Sequence, residues 1–244
     1  MQNTLAKAVF IASAALSFPS HATITPGGLS QSTWSITNAP ANGVSEISFP
    51  IRVNEAPVSK GYYFAQQFRI VGANLGYIGI QPLATSEKHA QLIFSVFGSG
   101  AKPISSNCSG GADGGSGVSC STVFTNFVRG TLYYFNVKQD ANDKSLWHGS
   151  MSDGTNEIPI GSWQITGSTK GINKTELGFI EYFKSLPSCE KLPKISVQYH
   201  QPRIAGYKTI ITGPSEYGKC KGAANFAGFN TGRWMATHAL GFSN

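Results

Sequence analysis

The chain has 244 residues, of which 13% are charged and 11% aromatic, and it contains 28 glycines. Its formal net charge of +7 is scattered along the sequence, whereas nucleic-acid binding predicts a basic stripe with interleaved aromatic residues. The composition therefore argues against a nucleic-acid partner and favours a mild attraction to anionic surfaces, such as acidic polysaccharide or lipopolysaccharide.

The first 22 residues have the organisation of an export signal. Lys7 precedes an uncharged stretch over residues 8–18, and Ser20-His21-Ala22 supplies small residues at the positions that a signal peptidase reads. The uncharged stretch is shorter than the roughly 20 residues that a membrane-spanning helix needs, although a retained anchor is the alternative. We expect cleavage near Ala22, a secreted or periplasmic protein, and no membrane span in the mature chain.

Residues 23–244 predict one β domain. Apolar and polar residues alternate in short runs that are separated by turn-forming residues, and no run keeps a 3.6-residue apolar period. We predict strands at 45–53, 61–70, 76–81, 91–98, 131–138, 145–151, 157–165, 177–183, 195–200, 207–212 and 233–240. The first of these contains Pro50, which predicts an edge strand because proline lacks the backbone donor. This number of short strands indicates a single antiparallel sandwich of two sheets, of jelly-roll type.

All four cysteines follow the predicted signal. An even number of cysteines in an exported chain predicts two disulfides, for which three pairings are possible. We favour Cys108–Cys120 with Cys189–Cys220, because the first bridge would close a loop too rich in glycine to hold a shape unaided. Each bridge is expected to stabilise the fold by roughly 3–4 kcal/mol. A zinc site is the alternative, but the chain has no CxxC pair. We predict no metal and no cofactor.

Several sequence blocks, in their order along the chain, resemble a known family. They are GYYFAQQFRI, LGYIGIQ and LIFSVFGSG, the glycine loop between Cys108 and Cys120, and then GTLYYFNV, LWHGSM, IPIGSW and LGFIEYF with SCEKLP. Over about residues 60–205 the chain resembles a bacterial family of exported domains of unknown function, numbered three-four-seven-two. The resemblance implies a lectin-like, concanavalin-type sandwich and brings no catalytic residues. Phe97-Gly98 stands where the family has a Trp-Asp pair, so a role of that pair does not carry over.

Glu181 is the acid with the most unusual setting. It shares a strand face with Phe179 and Phe183, and an aromatic environment can raise the pKa of a carboxyl group. It could bind a sugar hydroxyl, pair with Arg69, act as a catalytic acid, or be a structural residue. Glycoside hydrolysis needs two carboxyl groups about 5–10 Å apart, and no second acid has a comparable setting in the sequence. The catalytic residues, if the protein is an enzyme, are therefore unknown.

A sugar-binding platform is predicted on one face of the 61–70 strand. Tyr63, Gln67 and Arg69 alternate there, opposite the apolar face of Tyr62, Phe64, Phe68 and Ile70. An aromatic ring can stack on the apolar face of a sugar while amide and guanidinium groups bind its hydroxyls. We predict that Gln81, His148 and Glu181 join the first three residues at this site. The alternative is that the aromatic residues fill the space between the sheets.

Other patterns point away from common catalytic and metal sites. The serines lack a GxSxG elbow, and the histidines form no HxxxH pair. Asp140 and Asp143 offer oxygen ligands for calcium, but a hairpin turn is the better interpretation because EF-hand spacing is absent. We therefore expect a secreted, non-catalytic sandwich that binds carbohydrate or another cell-surface ligand. A polysaccharide hydrolase or lyase and a toxin-like host-interaction factor are the alternatives.

Overall fold

The computed structural model describes residues 23–243 as two antiparallel sheets of eight strands that form a sandwich. The front sheet contains, in spatial order, β14 (Thr209–Glu216), β1 (Gly27–Ile36), β12 (Thr175–Tyr182), β3 (Tyr62–Arg69), β4 (Leu75–Pro82), β5 (Ala90–Phe97), β8 (Gly115–Phe124) and β7 (Cys108–Ala112). The back sheet contains β15 (Ala227–Thr231), β16 (Met235–Leu240), β13 (Ile195–His200), β2 (Glu46–Glu55), β9 (Leu132–Gln139), β10 (Leu146–Ser152), β11 (Glu157–Ile165) and β6 (Ala101–Pro103).

The predicted all-β sandwich is confirmed. Every predicted strand is present within a few residues of its expected bounds, and a short 3-10 turn over Cys189–Lys191 is the one helical element in the described residues. No helix in residues 23–243 is long and apolar enough to cross a membrane. The predicted export signal, residues 1–22, lies outside the described residues.

The interior between the sheets is filled largely by aromatic side chains. Trp163, on the back sheet, stacks on Phe94 of the front sheet with the ring centroids 4.8 Å apart, and it lies parallel to Phe68 at 6.4 Å. Successive strand residues point to opposite faces, so each strand contributes every second side chain to this interior. The apolar face predicted for the 61–70 strand is confirmed, because Tyr62, Phe64, Phe68 and Ile70 are all fully buried.

The edge position predicted from Pro50 is wrong, because β2 pairs with β13 on one side and with β9 on the other. The ladder to β13 ends at Ile51 opposite Tyr199, and Ser48 then exchanges backbone hydrogen bonds with Arg203. Strand alternation turns the backbone nitrogens of Ser48 and Pro50 to the same side. The missing N–H of Pro50 therefore falls in the gap between these two paired stretches, where no ladder bond is lost.

Both predicted disulfides are confirmed, at Cys108–Cys120 and Cys189–Cys220. The glycine-rich segment between the first two cysteines is not a shapeless loop but the hairpin of β7 and β8, with Cys108 directly opposite Cys120. Strand β8 then continues along β5 for eight paired residues, from Gly117 to Phe124. Backbone pairing and the disulfide stabilise this hairpin. Its glycine-rich part can therefore form strands without the apolar alternation that usually identifies strands in a sequence.

Candidate functional site

A pocket of about 420 Å³ opens on the outer face of the front sheet, a size typical of small-ligand sites. We call it the face pocket. Its aromatic lining is Tyr63, Tyr77, Phe97 and Phe183, and its polar lining is Gln81, Ser95, Asp113, Ser119 and Glu181, with Ile93 between them. Strand register brings these side chains together, since residues directly opposite each other on paired strands share a face.

The floor of the face pocket is a small apolar cluster separate from the main core. Tyr63, Ala65 and Phe179 are buried in it, and Tyr77, Ile93 and Phe183 pack around them. The Phe179 ring contacts Tyr77 at a centroid distance of 4.9 Å and Tyr63 at 5.9 Å, both edge to face. Such contacts hold the rings in fixed orientations. The outer face of the sheet therefore offers a rigid aromatic surface rather than the usual polar one.

Glu181 lies directly opposite Tyr63 in the pairing of β12 with β3. Burial raises the pKa of the Glu181 carboxyl group, and the charge of Asp113 raises it further. Asp113 reaches the pocket from the turn between β7 and β8. The prediction that no second acid shares the setting of Glu181 is therefore wrong, because two carboxyl groups line one pocket.

The hydroxyl of Tyr63 is buried and has no hydrogen-bond partner among the described residues. Only 6% of the surface of Tyr63 is exposed, and burial, followed by the charges of Tyr77, Glu181 and Asp113, raises the pKa of its hydroxyl well above the ordinary value. The hydroxyl is thus a neutral donor beside the pocket. A buried polar group without a hydrogen-bond partner destabilises the folded protein by about 1–3 kcal/mol. A ligand atom that accepts a hydrogen bond from this hydroxyl would remove that cost.

Tyr217 lies next to Glu181, on the side of β1. Gly28 of β1 is paired with Glu181, and a Cβ atom at Gly28 would collide with the Tyr217 ring. Glycine therefore lets the tyrosine lie over β1 next to the carboxyl group. Burial, followed by the charge of Glu181, raises the pKa of Tyr217 to about 12.

Three of the predicted ligand residues, Tyr63, Gln81 and Glu181, meet in the face pocket. Gln67 and Arg69 lie on β3 but bind Glu176 instead. The Arg69 Nε atom donates to Glu176 Oε1 at 3.0 Å, and the Gln67 amide donates to Glu176 Oε2. Arg69 therefore pairs with Glu176 and not with Glu181, the partner considered from the sequence.

His148 does not join the predicted platform. It lies on β10 of the back sheet, where its Nδ1 atom is 2.8 Å from the Ser162 hydroxyl and its Nε2 atom is 3.1 Å from Asp140. The outer faces of the two sheets point in opposite directions, so His148 and Tyr63 lie on different surfaces of the protein. The predicted turn at Asp140 is confirmed, since its carboxylate accepts the backbone N–H groups of Asn142 and Asp143.

Sequence reasoning assigned a binding role to only three of the ten lining residues, and Asp113 and Tyr77 are among those that it missed. Asp113 is part of the glycine-rich segment, where no strand pattern exists, and it adopts a left-handed conformation with φ of 47°. The sequence does contain a signal for the turn at Asp113, because the dipeptide Asp113-Gly114 favours a two-residue hairpin turn. The turn of this hairpin brings the Asp113 carboxylate to the pocket.

A serine–histidine contact also exists, but it lies in the sealed interior. His238 is 2.9 Å from the Ser30 hydroxyl and 2.7 Å from that of Ser32, and all three are buried between the sheets. A nucleophile needs access to a substrate, so this cluster is structural. Among residues 23–243, no group of three or more His, Cys, Asp or Glu side chains is arranged to hold a metal ion.

Comparisons with known proteins give no family. No family model matches the chain, and no curated protein matches it. It is similar to two structures of scytalido-glutamic peptidase, one with a peptide-based transition-state analog and one with a transition-state analog inhibitor, at 7% and 8% identity. Both alignments have a TM-score of 0.46 and cover 91% of this chain and 100% of the other. At this level the similarity assigns no activity to the chain.

Proposed function

We propose that the protein is an exported, non-catalytic binder of carbohydrate and that the face pocket is its binding site. The observation that carries the proposal is the convergence of four aromatic side chains and five polar ones on one pocket of about 420 Å³. Ligand pockets combine an apolar lining with a few well-placed polar groups. The export assignment rests on the predicted signal in residues 1–22.

The lining matches the two kinds of surface that a sugar ring presents. The exposed parts of Tyr77, Phe97 and Phe183 offer apolar faces on which the C–H face of a ring can stack. Gln81, Ser95, Ser119 and the two acids offer donors and acceptors to ring hydroxyls. A sugar hydroxyl that accepts from the Tyr63 O–H would also satisfy a buried donor that has no partner within residues 23–243.

The charge of the pocket restricts the class of sugar. Asp113 and Glu181 line it, and the described lining includes no lysine, arginine or histidine. A uronic acid or sulfated sugar would bring like charges together without a compensating cation, which disfavours binding. We therefore propose a neutral sugar, or one with a free amino group, as the ligand.

A glycan array tests the proposal with three variants of the protein. We expect the unmodified protein to bind neutral or amino sugars, Tyr77→Ala to lose binding, and Glu181→Gln to weaken it. Arg69→Ala is the matched control, because Arg69 is half exposed and pairs with Glu176 outside the pocket. The proposal fails if the unmodified protein binds no glycan, or if Arg69→Ala removes binding as completely as Tyr77→Ala.

The acid pair favours polysaccharide hydrolysis as a second candidate function. Glycoside hydrolases use two carboxyl groups, and the one with the raised pKa serves as the general acid. Glu181 has the raised pKa, so it would protonate the leaving oxygen while Asp113 acts as base or nucleophile. This candidate predicts release of reducing ends from a polysaccharide, abolished by Glu181→Gln and by Asp113→Asn even at polysaccharide concentrations high enough to saturate the weakened variants. Binding without release of reducing ends would support the non-catalytic proposal.

A further inference from the structure

A second cleft, of about 680 Å³, lies where several strands end and is separate from the face pocket. We call it the end cleft. It is bounded by the segment that follows β13 and leads into β14, and by the turn between β15 and β16. Arg203, Tyr207, Lys208, Arg233 and Trp234 are the lining residues with charged or aromatic side chains.

Trp234 differs from the other tryptophans of the chain. It is 66% exposed, whereas Trp34, Trp147 and Trp163 are completely buried between the sheets. The backbone that carries the indole is held in place, because the main-chain N–H of Trp234 donates to the Thr231 carbonyl at 2.9 Å and its C=O accepts from the Gln201 N–H at 2.8 Å. Tryptophan is enriched among the residues that contribute most to binding energy at interfaces, so an indole exposed beside a cleft is a candidate anchor for a ligand.

The turn before Trp234 has an unusual backbone conformation at Arg233, which also lines the cleft. Arg233 has a φ of 68°, in the left-handed region that residues with a Cβ rarely adopt. Its backbone N–H donates to the Asn230 side chain at 2.8 Å, and its C=O accepts from Ile211 at 3.0 Å. Backbone strain that the surroundings maintain is concentrated at binding and catalytic sites. Here it sets the course of the backbone at Arg233, directly before the exposed Trp234.

Three cations line the end cleft without neutralising partners. Arg203, Lys208 and Arg233 are exposed, and none forms a salt bridge within residues 23–243. The described lining contains no acid. The guanidinium of Arg203 lies over the Tyr134 ring at 4.7 Å, which limits its movement. The cleft thus combines a positive potential with an aromatic platform.

We propose that the end cleft binds an acidic polysaccharide, with a uronic acid or sulfated sugar ring stacked on Trp234 and its acid group held by the three cations. A single-stranded nucleic acid would need several successive aromatic platforms along a basic track, whereas this cleft is concave and has one strongly exposed indole. The site goes beyond the proposed function, because it takes ligands of the opposite charge at a different place on the molecule.

Trp234 supplies the signal for a direct test. The buried indoles are shielded from ligand, so a change in tryptophan fluorescence on titration reports stacking at the end cleft. We expect polygalacturonate to bind at low salt and to be weakened by added salt because the cations are exposed, while neutral dextran does not bind. Trp234→Ala should weaken binding about 30-fold, as loss of an anchor residue does, measured by calorimetry since the indole is then absent.

Matched controls separate the cleft from general effects. Phe229 is 57% exposed on the same hairpin but outside the cleft, and Lys102 is an exposed lysine on β6. We expect Phe229→Ala and Lys102→Gln to bind polygalacturonate normally, and Lys208→Gln to weaken binding while the melting temperature is retained. The Tyr77→Ala variant of the face pocket should also bind normally, so failure at one site is distinguishable from failure at the other.

Several results would overturn the proposal. They are equal binding of dextran and polygalacturonate, unchanged affinity in both Trp234→Ala and Lys208→Gln, or an equal loss in the Phe229→Ala control. Tighter binding of a single-stranded oligonucleotide than of polygalacturonate, with the same sensitivity to Trp234→Ala, would assign the cleft to nucleic acid instead.

Discussion

His238 should make the stability of the sandwich depend on pH. Its ring is fully buried on β16, with its two nitrogens bonded to the hydroxyls of Ser30 and Ser32 on the opposite sheet and with Tyr199 packed against it at 5.0 Å. Burial lowers the pKa of His238 to about 3. The native state therefore keeps this histidine neutral over a range of pH in which an unfolded chain binds a proton to it.

The size of the effect follows from proton linkage. The unfolded pKa of histidine is about 6.5, so between that pH and about pH 3 the unfolded state binds one more proton than the native state. The free energy of unfolding falls by about 1.4 kcal/mol for each unit of pH across this window, or by about 5 kcal/mol in total. The contribution is fully present above the unfolded pKa and is lost as the pH falls.

Urea unfolding of the protein and of His238→Gln, from about pH 7 to about pH 4, measures the linkage. Glutamine does not titrate in this range of pH. We therefore expect the free energy of unfolding of His238→Gln to fall less steeply with decreasing pH, by about 1.4 kcal/mol per pH unit below about pH 6. Loss of a buried hydrogen bond should also make this variant less stable near pH 7, by about 1–3 kcal/mol. Parallel curves for the two proteins would refute the assignment of a neutral, buried histidine.

Three further variants test the pocket, the hairpin and the core. Glu181→Gln should raise the melting temperature near pH 7, because burial and a neighbouring charge disfavour the ionised carboxylate, and the gain of less than about 1 kcal/mol should vanish below about pH 4. Replacing both Cys108 and Cys120 by serine should lower the urea midpoint by the equivalent of about 3 kcal/mol, given their separation of 12 residues. Gly149→Ala should cost about 1–3 kcal/mol in thermal unfolding, because the added Cβ collides with Phe94.

Apolar alternation located most of the strands but missed β1, whose inner face carries two serines. Strand β1 lies in the front sheet next to the edge strand β14 and is paired with β12 on its other side. Two of its buried positions, Ser30 and Ser32, are serines that bind His238 across the interior. A polar core contact satisfied by a residue more than 200 positions away has no local signal in the sequence, so this strand could not be recognised from alternation.

The same limit applies to the candidate sites. Tyr63 and Glu181 were identified because each lies in a well-patterned strand, and their pairing follows from the register of β3 with β12. Asp113 belongs to a turn whose place over the pocket depends on how the hairpin folds back. Alternation also could not show that Trp234 is exposed while the other three tryptophans are buried, because exposure there is set by the geometry of a turn.

The opposite charges of the two candidate sites give them preferences for different classes of sugar. The face pocket has two acids and the end cleft has three cations, and both lie in a protein of net charge +7. An acidic chain drawn to the molecule by its overall charge is directed to the end cleft, because the carboxylates of the face pocket oppose it. A polysaccharide with both acidic and neutral or amino sugars could then engage both sites at once. Joining two sites raises avidity without any new contact, so such a mixed polymer should bind more tightly than either homopolymer, and loss of either site should remove this advantage.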